Sequence, residues 1–143
     1  MTKLAREALV PYSAEQMFTI VNDVCAYPSF LPWCESAQID EASESAMSAT
    51  LTLARAGLRY SFSTRNTLSF PDRITMELIK GPFSHLYGEW DFIPLGEDGC
   101  RVRMQLDFEV GGRVARTALG SVFNKAADTM VDAFCDRADK LHG

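Results

Sequence analysis

A chain of 143 residues with 47% apolar and 23% charged residues has the length and composition of one folded globular domain, which excludes a disordered or low-complexity chain. Its formal net charge of -5 removes the non-specific attraction for phosphate that drives most nucleic-acid binding and argues against DNA as a partner, although a local basic patch can survive within an acidic total. No run of about 18 apolar residues is present, and Met1 to Val10 lacks the apolar centre of a signal peptide, so a cytoplasmic location is expected.

A first strand is predicted from Lys3 to Val10. Ser13-Ala14-Glu15-Gln16 then forms an S-x-x-Q capping box, in which Ser13 caps the third helical amide and Gln16 reaches back to the cap. Met17, Ile20, Val21 and Val24 recur at helical spacing, with Tyr12 placed to staple onto Met17. The pattern stops before Tyr27-Pro28. Pro28 and Pro32 bracket the aromatic segment Tyr27 to Cys34, which allows a helical turn but no long helix. So much apolar bulk outside regular structure fits either a plug beneath the sheet edge or the wall of a ligand pocket.

From Cys34 to Val110 the period changes to two, and turn signals divide the segment into about six strands of an antiparallel meander. Met47, Ala49, Leu51 and Leu53 alternate with Ser48, Thr50 and Thr52. After Ala56-Gly57, Leu58, Tyr60 and Phe62 alternate with Arg59, Ser61 and Ser63. Turns at Pro71-Asp72, Gly81-Pro82 and Gly96 to Gly99 bound the remaining strands. Gly88 stands on the same face as Leu86, Trp90 and Phe92, which implies a bend or a close approach by another group. In the last strand Cys100, Val102, Met104, Leu106, Phe108 and Val110 oppose polar neighbours throughout, so its register is firmly specified.

Beyond Gly111-Gly112 the sequence reads as one helix to about Leu141, ~40 Å long at 1.5 Å per residue. Its apolar stripe is Ala115, Ala118, Leu119, Val122, Ala126, Met130, Ala133 and Phe134, and its wet face is Lys125, Asp128, Asp132, Asp136 and Asp139. Half of that stripe is alanine. Helix and sheet therefore either approach closely or enclose a cavity lined by Phe62, Trp90, Phe92, Phe123 and Met130, and composition leaves both open.

Signals for catalysis are sparse. Cys25, Cys34, Cys100 and Cys135 form no C-x-x-C pair, and with His85 and His142 as the histidines they give no zinc spacing, so reduced thiols and no metal site are expected. No G-x-S-x-G elbow, phosphate loop or dinucleotide fingerprint occurs, and no catalytic residue is assigned. His85, Glu89 and Asp91 share one strand face opposite Trp90 and read as solvated.

Several segments resemble the coenzyme Q-binding START-domain family, within the START and Bet v 1-like (polyketide cyclase/dehydrase-like) superfamily. They are Pro11 to Phe18, Val21-Asn22-Asp23-Val24, Tyr27 to Cys34, Phe62 to Asn66, Gly81-Pro82-Phe83 and Gly88 to Phe92, in family order between about Leu4 and Arg137. The resemblance implies an α+β helix-grip fold: a curved antiparallel sheet of about seven strands wrapped around a long C-terminal helix, with two short helices after the first strand. It implies one START-like domain over residues 1–143, non-enzymatic, that holds ubiquinone or a similar isoprenoid lipid as ligand with no catalytic cofactor, in support of respiration or ubiquinone biosynthesis. Phe30, Leu31, Trp33, Phe62, Phe83, Trp90, Phe92, Phe123, Met130 and Phe134 are the expected ligand-binding residues.

The same family includes a bacterial ribosome-association toxin, so the alternative is a regulator that binds the large ribosomal subunit and inhibits subunit association. Arg113 and Arg116, at a helix start where cations are disfavoured, would then meet an anionic partner, or else pair with Glu109 or water. A cyclase-like pocket enzyme is a further alternative.

Overall fold

The computed structural model describes residues 2–55, 57–111 and 116–143. Strand β1 (Thr2–Val10) is followed by helix α1 (Ala14–Asn22). The capping box is formed: Ser13 Oγ accepts the Gln16 amide at 3.1 Å, and Gln16 Oε1 accepts the Ser13 amide at 2.9 Å. Two amides that a helix start leaves unpaired are thereby satisfied. Met17, Phe18, Ile20 and Val21 are buried. A 3-10 turn, Val24–Ser29, carries Tyr27 and Pro28.

The meander consists of β2 (Cys34–Ala42), β3 (Ala46–Arg55), β4 (Leu58–Ser69), β5 (Arg73–Lys80), β6 (Phe83–Pro94) and β7 (Cys100–Val110). With β1 against β7 they form one seven-stranded antiparallel sheet in the order β1-β7-β6-β5-β4-β3-β2. Register shifts between Cys34 and Ser36, Ile39 and Glu41, Ser63 and Thr64, and Phe83 and His85 are bulges, which bend strands and strengthen twist. The resulting curvature gives the sheet an inner face for the helices.

Alternation sorts the two faces as the sequence predicts. In β7 every residue from Cys100 to Val110 at an even position is buried and every odd one is half-buried. On the outer face the registers place Glu7, Arg103, Asp91 and Arg73 in one row across four strands. Alternating charge favours such a row. Arg73 Nε donates to Asp91 Oδ1 at 2.8 Å, and Tyr87 Oη donates to Glu89 at 2.9 Å. At Gly88 the close approach is realised: a Cβ there would stand 2.5 Å from Met76 Cε and 3.1 Å from Leu106 Cδ1.

The C-terminal helix differs from the single straight rod that periodicity predicts. It comprises α2 (Arg116–Asp128) and α3 (Met130–His142), separated at Thr129. The Thr129 hydroxyl donates to the carbonyls of Lys125 at 3.3 Å and Ala126 at 3.1 Å, and such back-bonding bends helices. The buried stripe changes accordingly. Leu119, Phe123, Ala126, Ala127, Val131, Phe134 and Ala138 are buried, Val122, Met130 and Ala133 are half-buried, and Ala118 is exposed. Ala115 lies outside the described residues. All five predicted wet residues, Lys125, Asp128, Asp132, Asp136 and Asp139, are exposed. Arg6 pairs with Asp128, and Tyr12 Oη donates to Asp139 at 2.6 Å, so both helices are tied to the chain's first elements. Among the described residues no helix is long and apolar enough to cross a membrane.

Candidate functional site

The bent helix and the concave face of the sheet enclose an interior cavity of about 60 Å³. Five of the ten expected residues line it: Trp33, Phe62, Trp90, Phe123 and Met130. The other five do not. Leu31, Phe83, Phe92 and Phe134 are buried in the core around it, and Phe30 is half-buried at the protein surface.

Ring geometry sets the size of the cavity. Phe62, Phe83, Phe108 and Phe123 pack edge-to-face with centroids 4.7 to 5.9 Å apart. On the other side Trp90, Tyr27 and Phe30 contact Phe134 at 5.2, 5.4 and 5.5 Å. Edge-to-face pairs at these separations are favourable in themselves, so the aromatic side chains fill one another's space and leave a small void between two clusters. The alanines Ala49, Ala126 and Ala127 border what remains.

The lining is apolar with a few polar groups that sequence reasoning missed. Thr64 and Asn66 are part of it, and Thr64 Oγ1 donates to Asn66 Oδ1 at 2.9 Å. Their signal was available, because positions 62, 64 and 66 share one strand face and two of the three are polar. Trp33 is 2% exposed, and its Nε1 has no hydrogen-bond partner among the described residues. A buried donor without an acceptor costs about 1–3 kcal/mol. Tyr27 donates to the Val21 carbonyl, and burial raises its pKa strongly. Burial also pushes the thiols of Cys34, Cys100 and Cys135 up to about 11, which keeps them protonated and unreactive at neutral pH.

Trp33 and Ala126 also form part of a second wall. On their outer side lies an open groove of about 500 Å³, bordered by Phe30 and Pro32, by Arg55 at the end of β3, and by side chains of both C-terminal helices. Arg137 lies over the Phe30 ring, 5.1 Å from its centroid. Arg113 lies outside the described residues, as does the side chain of Arg116.

Chemically, the interior can shelter a small apolar group, whereas the groove can receive a charged one. Among the described residues no group of three or more His, Cys, Asp or Glu could hold a metal ion. His85 and Glu89 stay on the half-buried outer face, away from the cavity.

A family profile described as polyketide cyclase / dehydrase and lipid transport matches residues 10–135. The ribosome association toxin RatA of Pseudomonas aeruginosa is 48% identical over 142 residues, which cover 99% of either chain. The mitochondrial coenzyme Q-binding protein COQ10 of Drosophila melanogaster is 25% identical over 96% of this chain and 59% of its own. Among solved structures, a START superfamily protein from Mycobacterium smegmatis superposes with a TM-score of 0.81 at 23% identity, covering 97% of this chain and 98% of that one. The Zhui aromatase/cyclase from Streptomyces superposes with a TM-score of 0.85 at 19% identity, over 97% and 94%. These two likenesses show the helix-grip fold that the sequence implied.

Proposed function

The chain belongs to the polyketide cyclase/dehydrase and lipid transport family, and from that footing we propose that it is a ribosome regulator that binds the large ribosomal subunit and inhibits subunit association. The observation that carries this reading is the end-to-end similarity to RatA, at 48% identity. Similarity over that whole length covers surface as well as core, and surface is what a partner recognises. In this reading residues 1–143 act as one unit in the cytoplasm, and the mechanism is occupancy of a subunit face with no covalent step.

The interior supports the choice. An engineered cavity of about 150 Å³ takes one benzene, whereas this one is about 60 Å³. A substituted quinone ring with the start of its tail would require the two aromatic clusters to part. Added to a lysate, the purified protein is expected to shift ribosomes on sucrose gradients from assembled particles towards free subunits. An unchanged gradient over a range of concentrations would overturn the proposal.

A second reading is retention of ubiquinone or a similar isoprenoid lipid, with transient contact at the inner membrane. It is favoured by the apolar lining from Trp33, Phe62, Trp90, Phe123 and Met130 and by the similarity to COQ10. Its test is solvent extraction of protein purified from its native host, followed by mass spectrometry. Recovery of a stoichiometric isoprenoid would support it, and repeated absence, with no saturable binding of added quinone, would dispose of it. The relatives at these identities carry names of toxins and a binding protein, and we assign this chain no chemical step.

A further inference from the structure

We propose that the groove outside Trp33 is the surface that contacts the ribosome, and that what it receives is ribosomal RNA, through backbone phosphates held by four basic residues beside an aromatic shelf. The inference rests on the ribosome-binding reading and gives it a location.

Arg55 comes from the end of β3, Lys125 from α2, and Arg137 and Lys140 from α3. The fold, not local sequence, brings the four together. Among the described residues none of them lies within ion-pair distance of a carboxylate. Ion pairs among the described residues lie elsewhere, at Arg6–Asp128, Arg59–Glu35 and Arg73–Asp91. Two acidic residues, Asp132 and Asp136, also border the groove, which leaves it a surplus of two positive charges. The rest of the chain carries ten basic against seventeen acidic residues. The groove is thus net positive in a chain that is net negative, and the acidic balance elsewhere would suppress unspecific attachment along RNA.

The groove is also more than a charged strip. Phe30 is half-buried beneath the Arg137 guanidinium at 5.1 Å. An aromatic ring capped by a guanidinium beside unpaired lysines combines the two elements that hold nucleic acid without sequence readout, a platform for bases and cations for the backbone. An acidic protein tail would need the cations alone. The pairing of shelf and cations favours RNA.

The test compares the full-length protein with a triple variant, R55Q, K125Q and K140Q, in binding to purified large ribosomal subunits and to protein-free RNA extracted from them. All three positions are exposed, so folding is preserved, which circular dichroism checks. A K3Q, K80Q variant removes two exposed cations from other places and serves as control. Each lost phosphate contact reduces the slope of log affinity against log salt by about 0.7–0.9. The triple variant is expected to bind subunits and RNA at least roughly tenfold more weakly, with a shallower salt slope, and the control to match the wild type.

Equal binding of the triple variant and the wild type to subunits would overturn the groove while leaving the ribosome reading in place. Failure of the wild type to bind subunits at all would overturn both. Loss of subunit binding in the triple variant, with no binding of protein-free RNA by the wild type, would assign the groove to a ribosomal protein and overturn the RNA.

Discussion

Four thiols in one chain sample four surroundings. Cys25 is exposed, Cys34 and Cys100 are buried, and Cys135 is half-buried. At neutral pH one thiol per chain, Cys25, is expected to react rapidly with a chromogenic disulfide reagent, and the other three only at the rate of unfolding or local opening. Serine at Cys25 should abolish the fast phase. Rapid reaction of any thiol in that variant would contradict the burial.

The same burial makes stability fall in alkali. In the unfolded chain these thiols ionise near 9, and in the folded one near 11, so between those values the native state holds more protons. Their contribution is full below pH 9 and is lost as pH rises through 11. Tyr27, whose buried hydroxyl is also held protonated, adds a loss of the same sign above pH 10. The melting temperature is expected to fall steeply from about pH 9 to 11, with each of the three thiols contributing on the order of 1 kcal/mol once solvent screening is allowed for. A flat profile over that range would contradict it.

At the scale of elements, two glycines have opposite tolerance. Gly81 has φ +152, and a Cβ there would come 2.6 Å from Phe62 Cβ and 3.2 Å from its Cα, neither of which can move without the strand. Gly88 faces the ends of Met76 and Leu106, both of which border the cavity and have room to shift. G81A is expected to cost about 2–3 kcal/mol and G88A less than about 1 kcal/mol, as measured by urea unfolding. The reverse order would mean that Met76 is held more tightly than its surroundings suggest.

Strands were most legible where alternation is strict. Cys100 to Val110 give the inner face of β7 without any knowledge of its neighbours. The helix was legible as an amphipathic stretch on both sides of Thr129 but its break there was not, since hydrophobic spacing carries no sign of a hydroxyl that competes for two carbonyls. Ala118, which a continuous 3.6-residue period selects, is exposed, and Ala127, Val131 and Ala138, which it does not select, are buried.

Across the whole molecule, nine of the ten expected site residues lie in the core or line the cavity, with Phe30 at the surface, and five of them meet at the cavity. Phe83, Phe92 and Phe134 are buried behind the cavity wall, in ring-to-ring contact with the residues that form it, and such packing depends on tertiary positions that composition does not encode. The residual void yields a further prediction. Ala49 is buried in β3 and borders the cavity, and A49V adds two methyl groups at a site that favours β-branched residues. It is expected to raise stability by up to about 1 kcal/mol and to leave the ribosome gradient effect intact. If A49V abolished that effect while remaining folded, the cavity and not the outer surface would be governing it.

A hollow interior also has a mechanical signature. Unfolding collapses internal voids, so the folded chain occupies more volume than the unfolded one, typically by 20–100 mL/mol. A void of about 60 Å³ amounts to ~36 mL/mol if it is wholly eliminated. Hydrostatic pressure would therefore act on this one space between the bent helix and the sheet, unfolding the protein at ordinary temperature, and valine at position 49 should stiffen it against compression by the share of emptiness it removes.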